Sequence, residues 1–366
     1  MKRKILIPLA ILVVIIAAIA IYFTQKPKEP ETIKIGAILP LTGDFSLFGG
    51  WLKEGIDFAV SSSNLPVRVI YEDNANQNAK SVSSFQKLVK VDKVNAVITA
   101  RTPTANVLLP LINSHKVFTI FTFADLPRGD KKYILNYHFP IEDEITALTE
   151  FAFKKIGKKA AILTVNDDFG RLGADLFEVK FKQLGGVVIY KDMFSQVIAD
   201  FKPIVGKLKN SNPDFVFVIA WEQNFLSLTK SMKEQNLSIP IVGPNVLSIY
   251  IPLVKKYLPL SYFTVSFYDV GKKNPHYEEF IELFKKRFGK EPNMVHAESY
   301  EATVIILNAL KKTKNLSTYF DNFKQYEGIF GKIIIDQERQ AHFPLAIVEV
   351  REGEKKGVVW EFIPNP

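Results

Sequence analysis

A chain of 366 residues, with 47% hydrophobic and 23% charged residues, has an ordinary globular composition and is long enough for two domains. Its net charge of +9 is spread along the chain without a block of Lys and Arg, which argues against a nucleic-acid partner. The absence of cysteine excludes disulfides, thiolate nucleophiles, cysteine-bound metals and a lipid anchor on cysteine.

Residues 1–32 are typical of an export segment followed by a linker. Lys2, Arg3 and Lys4 precede an apolar run over 5–23, which is about as long as a bilayer-spanning helix, and the polar linker TQKPKEPET follows. Because no small-residue cleavage site follows the run, we expect an uncleaved transmembrane anchor with its basic end in the cytoplasm. A cleaved signal peptide remains the alternative. Both place most of the protein outside the cytoplasmic membrane.

From residue 33 the pattern alternates strands with helices. The stretch 33–60 gives a β-branched apolar strand, a loop with glycines and then an amphipathic helix. Phe48 lies in this loop, where packing on its own helix and contact with a ligand are equal alternatives. Thr102 suits an N-cap, and Pro103 suits the first helical position after it. The further strands of this series are predicted at 67–73, 95–100, 117–122 and 134–139, which completes one doubly wound lobe.

A second series of the same kind begins with a helix over 141–155. Its strands are predicted at 160–167, 187–194, 215–220, 239–245 and 262–268, and its helices at 169–184, 200–209 and 222–235. Two long helices over 277–288 and 295–312 follow this series. The end of the chain differs, because its strands are predicted to be antiparallel, at 331–336, 343–353 and 358–362.

The residues that carry catalytic or metal chemistry do not form a recognisable pattern. The histidines are far apart in the sequence, at His115, His138, His276, His296 and His342. No phosphate-binding loop, dinucleotide fingerprint or nucleophile elbow occurs. Asp167 and Asp168 follow a predicted strand, and we interpret them as a helix N-terminus. The sequence therefore predicts a protein that is not an enzyme and needs no metal or cofactor.

The ordered series of segments resembles the leucine/isoleucine/valine-binding protein family, over nearly all of 33–366. These are type I periplasmic binding proteins that pass ligands to ABC importers. The resemblance rests on IGAILPLTGDFSLFGG, AVITARTPTANVLLPLINSHKVFTIF, AAILTVNDDFGRLGADLFEVKFKQLGG, DFVFVIAWEQN, IVGPN and GIFGKIIIDQERQAHFPLAIVEV.

The resemblance implies an α/β fold of two doubly wound lobes, each with a central parallel sheet, joined by three hinge crossovers. The N-terminal transmembrane helix would precede them. The first lobe would contain 33–142 with 270–326, and the second lobe 143–269 with 327–366. Residues 1–32 would be the signal or anchor and its linker. The lobes would close on a ligand by hinge motion.

The resemblance also places ligand contacts in the first lobe. Phe48 matches the aromatic residue that covers the ligand, and Thr102 matches the hydroxyl residue that binds a ligand carboxylate at a helix N-terminus. Ala124 and Asp125 match a small residue and a threonine after the next strand. Asp125 puts a carboxylate where the family has a hydroxyl. It would pair with Arg101, bind a ligand ammonium, or act only as an N-cap or turn residue.

In the second lobe the implied contacts are Phe169, Trp221 and Asn245. Phe169 and Trp221 match aromatic residues of the family. Asn245 stands where the family commonly has a glutamate that pairs with the ligand ammonium, and a neutral amide binds an ammonium less strongly. The aromatic cleft that results suits an amino acid or another small organic ligand.

The sequence therefore predicts a monomeric, extracytoplasmic solute-binding protein with an ABC permease as its partner. It would bind an amino acid or a similar small molecule, with the membrane contacted through the N-terminal helix and no nucleic acid bound. The alternative is a ligand-sensing or regulatory domain of the same fold, acting on a membrane or protein partner.

Overall fold

A computed structural model describes residues 32–126, 129–198, 200–266, 274–351 and 354–362. The predicted N-terminal anchor lies outside these described residues. Among the residues that are described, no helix combines the length and the apolar character needed to cross a membrane.

The strands of the described residues form three sheets. Their bounds are β1 Ile33–Leu39, β2 Val67–Asp73, β3 Ala96–Ala100, β4 Thr119–Thr122, β5 Ile134–Asn136, β6 Lys159–Val165, β7 Val187–Phe194, β8 Phe215–Ile219, β9 Ile241–Gly243, β10 Ser261–Val265, β11 Gln325–Gly328, β12 Gly331–Ile335, β13 Ala341–His342, β14 Leu345–Arg351 and β15 Glu354–Phe362.

Helices separate most of these strands. The α-helices are α1 Ser46–Ser62, α2 Asn78–Lys87, α3 Thr102–His115, α4 Ile141–Lys155, α5 Asp168–Gln183, α6 Lys202–Ser211, α7 Glu222–Glu234, α8 Asn245–Ser248, α9 Ile251–Val254, α10 Pro275–Phe288, α11 Met294–Lys312 and α12 Leu316–Asp321. A π-helical turn over Leu88–Asp92 continues α2.

The first sheet has five parallel strands in the order β2-β1-β3-β4-β5. Parallel sheets are covered by helices on both faces, so their strands are apolar without interruption. This accounts for β1, in which Ile35, Ala37, Ile38 and Leu39 are all fully buried. The strand order turns back between β1 and β3, and such a switch point opens a crevice beyond the carboxyl ends of the strands.

The second sheet has seven strands in the order β15-β14-β10-β9-β8-β6-β7. The five strands from β6 to β10 are parallel, and β14 and β15 add to one edge in antiparallel fashion, as the sequence predicted. Its switch point lies between β6 and β8. Each parallel sheet therefore has a crevice of the kind that binds ligands in α/β proteins.

Helix α11 packs closely against α1, the helix that follows β1 of the first sheet. Gly55 of α1 faces α11 so closely that a Cβ atom would overlap the carbonyl oxygen of His296 and the hydroxyl of Ser299, and it would lie 3.1 Å from the backbone nitrogen of Tyr300. Residues late in the chain are thereby part of the core that contains β1. This packing agrees with a first lobe that takes in segments from both halves of the sequence.

The third sheet, β11-β12-β13, is antiparallel and packs with the first core. Ile333, Ile335 and Ala341 of this sheet are buried there, beside Phe343. This packing favours a boundary between the lobes nearer residue 345 than the predicted residue 327, because the side chains between these points belong to the first core. The assignment of lobes itself remains a prediction.

His342 links this third sheet to the second lobe's α4. Its Nδ1 lies 2.8 Å from Asp143 and its Nε2 lies 3.4 Å from Asp336. Burial lowers the pKa of His342, but the hydrogen bonds with Asp143 and Asp336 outweigh it and raise the pKa to about 9. The folded protein therefore binds this proton more tightly than the unfolded chain does.

We expect this link to make stability fall as pH rises. The stabilisation by His342 is complete below pH 6.5, the pKa of an ordinary histidine, and is lost as pH passes through about 9. Between pH 6.5 and about 9 the free energy of unfolding should fall by an amount on the order of 2 kcal/mol. The His342→Gln variant should not show this fall. Urea titrations at several pH values measure it, with His276→Gln, an exposed histidine on α10, as control. An unchanged pH profile in His342→Gln would contradict the link.

Candidate functional site

The two switch points face each other across a closed cleft. The loops after β1 and β3 of the first sheet meet the loops after β6, β8 and β9 of the second sheet and line a cavity of about 60 Å³. Its walls are mainly aromatic, formed by Phe45, Phe48, Phe123, Phe139, Phe169, Trp221 and Tyr250. The cavity thus lies where the topology of both sheets favours a ligand.

Five of the seven residues proposed as ligand contacts line this cavity, namely Phe48, Thr102, Phe169, Trp221 and Asn245. Phe48 packs edge-on against Phe123 at 5.3 Å, while Phe169 stacks on Trp221 at 5.7 Å. The sequence placed Phe48 in a loop, but the structure places it in the first turn of α1, which begins at Ser46. Its ring faces the cavity and packs on Phe123, while packing on its own helix and contact with a ligand both stay predictions.

The other two proposed contacts, Ala124 and Asp125, are not part of the cavity wall. The carbonyl of Ala124 accepts a hydrogen bond of 2.8 Å from the Asn136 side chain. The backbone nitrogen of Asp125 donates to the Thr102 hydroxyl over 3.0 Å, and its carboxylate accepts from the backbone of Ile141 over 2.7 Å. Asp125 therefore joins the first turn of α3 to the first residue of α4, and burial raises its pKa to about 6.

The start of α3 differs from the prediction by one residue. The helix begins at Thr102, and Arg101 holds the N-cap position that the sequence gave to Thr102. Arg101 has a φ of 80°, in a region that L-residues rarely adopt. This backbone turns the Arg101 side chain into the cleft, whereas the Thr102 hydroxyl accepts the bond from Asp125.

Arg101 is a charged cavity residue that sequence reasoning did not assign to the ligand. Its side chain is 6% exposed, and its Nη1 is buried without a hydrogen-bond partner among the described residues. The guanidinium lies 3.5 Å above the ring of Phe45 and 4.9 Å from that of Trp221. Burial lowers its pKa to about 10, opposed by the charge of Asp167, so Arg101 stays a cation at neutral pH.

Asp167 faces Arg101 from the second lobe. As predicted it caps a helix, since its Oδ1 accepts from the backbone of Gly170 over 2.8 Å at the start of α5. Its Oδ2 accepts from Trp221 Nε1 over 2.7 Å and from Gln196 Nε2 over 3.0 Å. Asp167 therefore fixes the Trp221 ring at the cavity, a role that the sequence did not indicate.

Contacts that cross the cleft show that the lobes are closed. The rings of Phe45 and Trp221 meet edge to face, with centroids 5.6 Å apart. At the rim, Asn106 of α3 lies 3.5 Å from Asp168 of α5. These contacts join loops and helices of the two sheets, so they would have to separate for the lobes to open.

Asn245, which stands where the family pattern has a glutamate, is held by hydrogen bonds at both ends of its amide group. Its side chain donates to Ser266 and accepts from Ser248, both over 3.2 Å, and its backbone nitrogen donates to Glu144 over 2.6 Å. Glu144 also accepts from Thr264. Burial raises the pKa of Glu144 to about 7, although these two hydrogen bonds oppose the rise. Glu144 therefore holds the start of α8 and strand β10 in place beside the cavity.

His138, which lines the cavity, pairs with the buried carboxylate of Glu298 on α11. Both carboxylate oxygens of Glu298 lie 3.0 Å from Nδ1 of His138, and Oε1 also accepts from the backbone of Phe123 over 3.1 Å. Burial lowers the pKa of His138, but the charge of Glu298 outweighs it and raises the pKa. His138 lies in the crossover between β5 and α4, so this pair ties the crossover to α11.

The polar side chains that line the cavity are hydrogen-bonded to one another or to the backbone, whereas Nη1 of Arg101 has no partner among the described residues. No group of three or more His, Asp or Glu that could hold a metal occurs among the residues that the structure describes.

Comparison with known proteins gives consistent findings. The model of a family described as periplasmic binding protein matches residues 32–356. A curated relative, the Leu/Ile/Val-binding protein homolog 6 of Brucella suis biovar 1 (strain 1330), is 25% identical over 361 residues, with 88% of each chain covered.

Solved structures share the fold. The substrate-binding protein of a branched-chain amino acid transporter from Streptococcus pneumoniae, in complex with isoleucine, has a TM-score of 0.83 at 19% identity, covering 91% of this chain and 100% of its own. A solute-binding protein of an ABC transporter from Rhodopseudomonas palustris BisB5, in complex with 3,4-dihydroxybenzoic acid, has a TM-score of 0.78 at 23% identity, covering 92% and 99%.

Proposed function

Because this chain belongs to the periplasmic binding protein family, which is extracytoplasmic, we propose that it binds a small organic solute in its cleft and delivers it to an ABC importer. A permease partner, an N-terminal membrane anchor or cleaved signal, and a monomeric state are parts of the same proposal. Binding would follow from opening and closing of the two lobes about their crossovers.

The observation that carries the proposal is the closed, aromatic cavity at the switch points of two facing sheets. Such a cavity buries most of a small ligand, and its aromatic rings supply apolar contact area. The contact between Phe45 and Trp221 across the cleft supports a closed state that traps the solute. No group in the cavity is arranged as a nucleophile with its base, which favours binding over catalysis.

The fold alone leaves the ligand class open. Of the two solved relatives, one is complexed with isoleucine and the other with 3,4-dihydroxybenzoic acid, and both match this chain over more than nine-tenths of its length. We therefore propose an amino acid or a similar small organic acid as the ligand class.

A thermal-shift screen of the full-length protein tests the binding. It should cover amino acids, carboxylic acids, amides and sugars. A true ligand at 100 times its Kd should add about 2.7 kcal/mol to the free energy of unfolding and raise Tm by several degrees. The Trp221→Ala variant should lose most of this shift, whereas Tyr257→Ala, an aromatic truncation outside the cavity wall, should keep it. A screen without any hit would contradict the proposal.

Uptake measurements separate transport from sensing. If the protein serves an importer, cells that lack its gene should lose uptake of the radiolabelled ligand found in the screen. If uptake persists and a response to the ligand is lost instead, the sensing alternative is supported.

A further inference from the structure

We infer that the solute is an aromatic carboxylate without an α-ammonium group, and that its carboxylate pairs with the guanidinium of Arg101. This inference rests on the proposed function, because it names the ligand class for the same cavity. It separates organic acids from amino acids, which the fold alone does not do.

The first argument is the unmet donor capacity of Arg101. A guanidinium has five N–H donors, and a buried Nη1 without an acceptor is costly unless something else provides one. Arg101 forms no ion pair within 4.0 Å in the described part of the chain, and Phe45 and Trp221 contact its guanidinium only through their ring faces. A planar carboxylate matches the donor fork of arginine and would satisfy it with charge-assisted hydrogen bonds.

The position of Thr102 supports the same anchor. Its hydroxyl oxygen already accepts a bond from Asp125, so the hydroxyl hydrogen is available to a second acceptor. Both Thr102 and Arg101 lie at the start of α3, whose free N–H groups and dipole favour an anion. The groups that favour an anion, namely the Arg101 guanidinium, the Thr102 hydroxyl and the N-terminus of α3, therefore lie together in the cavity wall.

The second argument concerns acceptors for an ammonium group. Asp167 already accepts from Gly170, Trp221 and Gln196. Glu144 accepts from Asn245 and Thr264, and its raised pKa of about 7 leaves it only partly ionised at neutral pH. Both bonds to Glu144 are accepted by its Oε1, so an ammonium would meet only Oε2, on a carboxyl group whose raised pKa favours protonation. The cavity thus offers an unpaired cation, whereas each of its two carboxyl groups already accepts hydrogen bonds.

The third argument concerns the ring. Phe45 lies on one side of the Arg101 guanidinium and Phe169 stacks on Trp221 across the cleft, so an aromatic ligand would meet rings in both lobes. Offset and edge-to-face contacts between rings are attractive beyond the area they bury. An aliphatic side chain of similar size does not gain these contacts.

Two matched pairs of probes test the inference by isothermal titration calorimetry on the full-length protein. Benzoate and benzamide differ in the charge of the anchoring group, and 3-phenylpropanoate and L-phenylalanine differ in the ammonium. We expect the Kd of benzoate to be at least about 30-fold lower than that of benzamide, and 3-phenylpropanoate to bind more tightly than L-phenylalanine by a similar factor.

Substitutions at residue 101 then link this preference to the guanidinium. Arg101→Met should raise the Kd of benzoate at least about 30-fold, and Arg101→Lys, which keeps the charge but loses the fork, should raise it less. Arg68→Met removes the same charge from an exposed position on β2 and should leave Kd unchanged. Thermal unfolding of each variant verifies that it is folded.

The outcomes distinguish this inference from the proposed function. If L-phenylalanine or L-leucine binds more tightly than its deaminated counterpart, or if Arg101→Met binds benzoate as the unsubstituted protein does, the inference is overturned while the solute-binding function stands. If no solute of any class binds, both are overturned.

Discussion

Replacing Glu298 by alanine should lower the free energy of unfolding by about 3–5 kcal/mol. Glu298 is completely buried in α11, where it accepts from the backbone of Phe123 and pairs with His138. Removing one partner of a buried pair leaves the other without compensation, and here a backbone N–H loses its acceptor as well. The loss should be visible in urea-induced unfolding at neutral pH.

The matched control is Glu282→Ala on α10, which removes an exposed carboxylate. It should change the free energy of unfolding by no more than about 0.5 kcal/mol. A loss of less than 1 kcal/mol in Glu298→Ala would mean that the His138 pair is not a structural tie between the crossover and α11.

Replacing Gly55 by alanine should push helices α1 and α11 apart. In Gly55→Ala the added Cβ would overlap the backbone carbonyl of His296, which has no freedom to rotate away, so α1 and α11 would have to move apart. Overpacking of this kind costs about 1–3 kcal/mol. We expect a value near the upper end, because the overlap involves backbone atoms of α11.

Gly50→Ala, on the same helix, provides the comparison. A Cβ at residue 50 meets nothing within 4 Å, so the variant should gain about 0.5–1 kcal/mol from the better helix propensity of alanine. Both variants are measured by thermal and urea unfolding. Equal effects of the two substitutions would show that the close contact at Gly55 is not what limits the helix spacing.

The order of strands and helices was predictable because it follows from local patterns. The helix predicted over 141–155 coincides with α4, and the strands predicted over 67–73 and 187–194 coincide with β2 and β7. In each case the spacing of apolar residues and the flanking turn residues agree, so one stretch of sequence determines the element. The family resemblance, which rests on the order of these elements, is confirmed by the match over 32–356.

The polar parts of the cleft were less predictable because they depend on distant partners. His138 and Glu298 are separated by 160 residues, and Asn245 and Glu144 by 101, so neither pair leaves a local pattern. Arg101 was visible in the sequence before Thr102, but only the structure shows that its guanidinium is buried and unpaired. A sequence pattern reports amphipathicity well and reports the pairing of buried charges poorly.

Asp125 illustrates the same limit. The sequence left three roles open for it, as a partner of Arg101, a ligand contact or a turn residue. The structure shows its hydrogen bonds to the backbone of Ile141 and to Thr102, and no ion pair with Arg101 among the described residues. Its carboxylate bond reaches the first residue of α4, 16 positions along the chain, so it is not the local N-cap or turn bond that the sequence suggested, and its part in ligand binding remains a prediction.

The backbone conformation of Arg101 costs stability, whereas its side chain is the proposed anchor for the ligand. A non-glycine residue held at a φ of 80° costs about 1–3 kcal/mol, and glycine would adopt the same conformation without that cost. A search for more heat-resistant variants would therefore favour glycine at this position and discard the guanidinium with it. Residue 101 is consequently one place where a thermostable version of this scaffold and a ligand-competent one require different amino acids.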